Sequence, residues 1–135
     1  MSNRVIKDSI RTNPKIASLT WFEEVLFYRL IVSADDYGCY EGRVPIVKNT
    51  LFPLKDNVTN KSVENALNKL IKVGLVYCYV VNDIPYLCVK SWDEHQRARN
   101  TQRRYPKPTK ENSAASCGRL RQIAAGSKSK KKKRK

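Results

Sequence analysis

The chain has 135 residues and a formal net charge of +15, from 27 Lys and Arg against 12 Asp and Glu. That length predicts one modest domain able to bury a core without disulfides, and the charge predicts a polyanionic partner such as DNA, RNA or an anionic surface. The opening MSNRVIKDSIRTNPK has no apolar stretch of the signal-peptide kind and no run approaches 18 apolar residues, so a leader, a membrane span and a membrane partner are not expected, and a reducing, cytoplasmic setting with free thiols is.

Residues 3–10 are short and mixed, and read equally as a strand or an arm; they are also a candidate contact for a homo-oligomer. Asn13-Pro14 reads as a helix break. Thr20 opens a strong helix, because Thr20 and Glu23 have the spacing of a capping box and Glu23 and Glu24 suit the positive end of the helix dipole. Trp21, Phe22, Val25, Leu26, Phe27, Leu30 and Ile31 predict a broad buried face at helical spacing. The run ends in a turn over 33–38, with Gly38 free to take a left-handed conformation.

Val44-Pro45 starts a short second helix, since proline is tolerated in a first helical turn, and Pro53 stops it. Thr59 caps a third helix over Asn60–Val73, closed by Gly74. Within it Val63, Ala66, Leu67, Leu70 and Ile71 recur at i, i+3, i+4, i+7 and i+8, one buried stripe. Two β-rich runs follow, 75–81 and 84–92, joined at Asn82-Asp83, where both residues tolerate positive φ. Pro85 in the second run predicts an edge position.

Beyond Trp92 the composition changes. Residues 1–96 carry a net charge of +1 and residues 97–135 carry +14. The expected organisation is a domain over 1–96, a basic linker over 97–112 broken by Tyr105-Pro106-Lys107-Pro108, and a low-complexity Lys-rich tail over 113–135 that is disordered alone. Leu120, Ile123, Ala124 and Ala125 offer at most one weak helical turn.

Helix, short helix, capped amphipathic helix and hairpin is the α+β layout of a winged helix-turn-helix. In that layout the third helix turns its outer face to the DNA major groove. Asn can bond adenine N6 and N7 together, and Lys reaches guanine or phosphate. The DNA contacts expected on this helix are therefore Asn65 and Asn68 on one face, Lys69 and Lys72, and Asn60, Lys61 and Ser62 at its start, where free amides favour phosphate. Asn82 is the expected contact at the wing tip. Arg97, Arg99, Arg103 and Arg104, interleaved with polar residues, are expected to track phosphates. The competing structural reading is an ordinary solvated helix face and a tail that serves solubility.

Cys39, Cys78, Cys88 and Cys117 form no CxxC pair and His95 is the sole histidine, so no metal site or cofactor is expected. Cys78 and Cys88 read as small sheet residues. His95 lacks a triad around it, and Asp93-Glu94 are neighbours that point apart on an extended chain. No Walker loop, GxSxG or HExxH occurs, so no catalysis is expected.

Several segments also resemble a known family. Glu24-Val25-Leu26-Phe27-Tyr28-Arg29-Leu30-Ile31-Val32 with Asp35-Asp36-Tyr37-Gly38, Ile46-Val47-Lys48 with Leu51-Phe52-Pro53-Leu54, Gly74-Leu75, Pro85-Tyr86-Leu87 and Trp92-Asp93-Glu94-His95-Gln96-Arg97 resemble the N-terminal domain of phage replisome organisers. These are DnaD-like replication initiation proteins of phages and prophages, and the resemblance spans about residues 4–108. It implies a winged-helix domain that binds double-stranded phage origin DNA and helps recruit a host helicase loader. In longer relatives a C-terminal domain carries loader or single-strand contacts; here residues 128–135 are a basic run instead, which would contact single-stranded DNA. The same fold also serves transcriptional regulators, and the tail alone suits a non-specific RNA or polyanion binder.

Overall fold

A computed structural model describes residues 4–92, 96 and 102–109. The expectations for His95, Asp93-Glu94, Arg97, Arg99, the weak turn at 120–125 and the tail over 113–135 lie outside the described residues. Among the described residues, four α-helices and three strands follow a 3-10 turn at Asp8–Arg11: α1 Pro14–Ala17, α2 Trp21–Ser33, β1 Cys39–Glu41, α3 Val44–Leu51, α4 Asn60–Val73, β2 Val76–Val81 and β3 Ile84–Val89. The sheet is antiparallel with order β1-β3-β2. This mixed α+β arrangement is compatible with a winged-helix-like fold.

The helix ends form for local reasons. The Thr20 amide donates to Glu23 Oε1 at 2.9 Å while the Glu23 amide donates to Thr20 Oγ1 at 3.2 Å, satisfying two donors that a helix start leaves free. Thr59 and Ser62 make the same reciprocal pair at the start of α4, at 3.1 and 3.0 Å. Gly74 closes α4 at φ 88°, a conformation that strains any residue with a Cβ. At the hairpin Asn82 and Asp83 take φ of 52° and 66°, as a two-residue turn matched to the strand twist requires.

Leu26, Phe27, Leu30 and Ile31 of α2, Val44, Val47 and Leu51 of α3, and Val63, Ala66, Leu67 and Leu70 of α4 are buried in one core. Val76, Cys78, Leu87 and Val89 close it from the inner face of the sheet. Each fully buried leucine contributes about 1.5–3 kcal/mol, so α4 is held by its apolar stripe and its other face is left to solvent.

The structure corrects several expectations. Asn13-Pro14 starts a helix rather than breaking one: Asn13 Oδ1 accepts from the Lys15 and Ile16 amides, and Pro14, which has no amide to satisfy, occupies the first helical position. Trp21 is 84% exposed, and Val25 is also exposed; α2 buries a narrower face because only one side of it meets α3 and α4. Strand β1 was not among the expected elements. Pro85 lies in the central strand, not at an edge. Its missing N–H faces the β1 side, where β1 has just ended and the Gly42 amide donates to the Pro85 carbonyl at 3.0 Å. The expected free thiols hold for Cys39 and Cys88, whereas Cys78 is disulfide-bonded. Residues 4–6 form an arm: the Val5 amide donates to Gln96 Oε1 at 2.9 Å and Gln96 Nε2 donates back to the Val5 carbonyl at 2.8 Å.

Candidate nucleic-acid interface

The outer face of α4 follows from the burial of its inner one. Lys61, Asn65, Asn68 and Lys72 recur at i, i+4, i+7 and i+11, which places them along one line of the helix. Lys61, Asn65 and Lys72 are exposed, and Asn68 and Lys69 are half-buried beside them. Glu64, the one acid in α4, is buried at 6% exposure, with Lys61 Nζ reaching it at 4.0 Å. The face therefore presents three ammonium groups and amide side chains with no exposed carboxylate among them.

Of the expected contacts at the start of α4, one is committed to the cap and one is partly withdrawn from solvent. Ser62 Oγ accepts from the Thr59 amide and donates to the Thr59 carbonyl at 2.9 Å, so it serves the cap. Asn60 is half-buried, and its Oδ1 is buried without a hydrogen-bond partner. Asn82 is exposed at the hairpin tip, six strand residues beyond the end of α4 and so about 20 Å from it. Asp83 stands beside it and repels phosphate, which makes the tip the least favourable of the described contacts.

Arg103 and Arg104 are drawn into the fold rather than extended from it. Residues 102–109 run back over the outer face of the sheet as a strap. Asp35, 1% exposed in the turn after α2, anchors it. Asp35 Oδ1 accepts from the Tyr37 and Cys39 amides at 2.9 and 3.0 Å, and Oδ2 from the Arg104 and Tyr105 amides at 3.0 and 3.3 Å. Arg104 Nη2 donates to the Ser33 carbonyl at 3.0 Å, and the Arg103 guanidinium lies 4.0 Å from the centre of the Tyr37 ring. Tyr79 donates its hydroxyl to the Pro106 carbonyl at 2.6 Å, and Tyr105 packs against Tyr40 and Tyr86.

Asp36 ties the strap to the N-terminal arm. It accepts from the Gln102 amide at 3.0 Å and from Arg4 Nη2 at 3.0 Å. These donors hold its carboxyl below the usual range, the Gln102 amide first and Arg4 next. Trp92 donates its indole N–H to the Asp36 carbonyl at 2.9 Å, under the Arg4 guanidinium. Asp35-Asp36 read as turn residues in the sequence; their second use, as acceptors for a segment some seventy residues on, has no local signal.

Among the described residues no group of three or more His, Cys, Asp or Glu is placed to hold a metal ion, and no helix is long and apolar enough to cross a membrane. No family model matches the chain, and no curated protein or solved structure matches it.

Proposed function

We propose that the chain is a winged helix-turn-helix DNA-binding protein in which α4 enters the major groove and the β2–β3 hairpin is the wing. The observation that carries this reading is the outer face of α4: Lys61, Asn65, Lys69 and Lys72 around Asn68, with the single acid of the helix buried. Three lysines and two amides on a rigid helix supply both phosphate attraction and donor–acceptor pairs for base edges. The element order and the strand order β1-β3-β2 agree with a helix presented over a wing. The resemblance to phage replisome organisers directs the reading toward replication initiation: the partner is double-stranded origin DNA, with a host helicase loader as the protein partner.

The basic segment over 97–135, which holds +14 of the net charge, favours a second reading, non-specific polyanion binding through the tail. One experiment separates them. Fragments of a phage or prophage genome are selected with the full chain and with a chain lacking 113–135. Enrichment of one site near the replication genes by both proteins is the expected result. Even scatter across the genome, or loss of all binding with the tail, refutes α4 as the reader; enrichment at promoters instead moves the role to transcription.

A further inference from the structure

The outer face of the sheet holds a second feature, independent of any DNA contact. Cys39 on β1 and Cys88 on β3 are direct partners in the antiparallel register. The neighbouring pair is hydrogen-bonded, with the Val89 amide donating to the Gly38 carbonyl at 3.0 Å. Ladder bonds alternate, so Cys39 and Cys88 form the non-hydrogen-bonded pair between them, where opposed side chains come closest. Their sulfurs are 3.7 Å apart.

We propose that Cys39 and Cys88 are a redox-active dithiol, a modification site at which an oxidant of the peroxide class forms a reversible cross-strand disulfide. Three observations support it. The first is reach: Cα atoms of a non-hydrogen-bonded pair stand about 4.5 Å apart, inside the range of about 4.4–6.8 Å that a disulfide spans. The sulfurs need to close by somewhat under 2 Å, which rotation about χ1 supplies without moving either strand. The second is a route of approach. Both cysteines are buried, Cys39 at 0% and Cys88 at 6% exposure, but they line a surface pocket of about 470 Å³ between the sheet and the strap, with Tyr37, Tyr77, Arg103 and Lys107 around them. The third is activation. The Cys88 thiol is the largest influence on Cys39 and lowers it to about 7, while Cys88 itself is pushed up because it keeps the shared proton. Arg103, whose Nη1 lies 3.6 Å from Cys39 Sγ, adds a smaller push toward the thiolate.

The chemistry balances as two steps. The Cys39 thiolate attacks one peroxide oxygen, the O–O bond breaks, and the departing oxygen takes up a proton to leave as water, giving Cys39 sulfenic acid. The Cys88 sulfur then attacks Cys39 Sγ, surrenders its proton, and expels the hydroxyl as a second water. Two thiols are oxidised by two electrons and one peroxide is reduced to two waters. The Cα spacing lies at the short end of the disulfide range, so a thiol reductant is expected to reopen the bond readily.

The test uses the unmutated full chain. It is treated with about one equivalent of hydrogen peroxide, free thiols are alkylated, and the digest is mapped without reduction. The expected product is a peptide joining Cys39 to Cys88, lighter than the reduced pair by two hydrogens and lost on adding dithiothreitol. It should form at least about tenfold faster in the folded protein than in concentrated urea, because the sheet supplies the proximity. In Cys88→Ser the reaction stops at Cys39, which dimedone then labels. Equal rates in folded and unfolded chains, both thiols still open to alkylation, or an overoxidised cysteine with no link would each overturn the proposal.

Discussion

Asp35→Asn tests whether the strap is held by one carboxylate oxygen. The two oxygens divide their work: Oδ1 accepts from the turn amides of Tyr37 and Cys39, and Oδ2 from the strap amides of Arg104 and Tyr105. Asparagine keeps one acceptor and places an NH2 against two N–H donors. The turn is local and closes at little entropic cost, so the remaining carbonyl stays with Tyr37 and Cys39 and the strap loses both bonds. Hydrogen bonds to a charged acceptor contribute about 1.5–3 kcal/mol each. The two share one oxygen and the freed amides are rehydrated, which brings the expected loss to about 2–4 kcal/mol. For a domain of this size that is a fall in Tm on the order of 10–25 °C.

The assay is a double-mutant cycle read by thermal denaturation. Asp35→Asn is made in the full chain and in a chain ending before Gln102. The substitution should be costly only where the strap is present, and hydrogen exchange in the full-length variant should accelerate at Arg104 and Tyr105 while Cys39 stays protected. An equal cost in both backgrounds would refute the assignment, because Asp35 would then be serving the turn alone.

Four further outcomes are expected. Asn65→Ala, at an exposed position on α4, should leave stability within about 0.5 kcal/mol yet weaken binding to a selected DNA site by about 1–3 kcal/mol, seen in titrations against that site and against random duplex; equal losses on both would remove Asn65 from base reading. Deleting 113–135 should flatten the slope of log K against log salt by about 0.9 for each phosphate that the tail had neutralised, measured by anisotropy; an unchanged slope would mean the tail touches no phosphate. Asp36, whose carboxyl is held low by the Gln102 amide and Arg4, contributes stability that is present above the unfolded carboxyl value of about 3.9 and lost as pH falls through the lower folded value. Strap protection at Gln102 should therefore be flat toward neutrality and weaken in acid, and Asp36→Asn should reduce that dependence; release on raising the pH would contradict it. Gly42→Ala would set a Cβ 2.8 Å from the Pro85 carbonyl carbon and oxygen. Those are backbone atoms of the central strand, so calorimetry should record a loss of about 1–3 kcal/mol, and an unchanged Tm would mean β1 can shift away freely.

The helices were legible where cap and period agree. Thr59, the stripe from Val63 to Leu70 and Gly74 define α4 from both ends, and the structure has those bounds. The hairpin was legible because Asn82-Asp83 is turn chemistry between β-rich runs. Strand β1 has three residues, Cys39–Glu41, too few for a period, and exists because β3 pairs with it; Pro85 was misplaced for the same reason. The outer face of α4 follows from its buried one, but the burial of Glu64 does not, since an isolated helix pattern cannot say which neighbour covers its flank. The strap was the least legible part. Arg103 and Arg104 sit in basic, proline-broken sequence of the kind linkers have, while the groups that hold them, Asp35, Tyr37 and Ser33, lie far back in the chain.

The division of labour between the two cations bears on what α4 would read. Arg4, Arg29, Arg43, Arg103 and Arg104 all bind carbonyls or carboxylates or stack on rings within the domain. A planar guanidinium with a fixed fork of donors suits such structural tasks, whereas an ammonium is a point charge on a flexible stem. Helix α4 carries lysines and no arginine. Bidentate recognition of guanine by arginine, the commonest specific contact in the major groove, is thus absent from its repertoire. If α4 reads DNA, the geometry-specific contact falls to Asn65 and Asn68, which pair with adenine, while Lys61, Lys69 and Lys72 hold phosphates or touch guanine singly. A selected site should then show its strongest constraint at adenines about one helical turn of α4 apart, flanked by weaker positions. A site dominated by invariant guanines would require an arginine at the groove, and would move the reader away from α4 and into the basic segment beyond the wing.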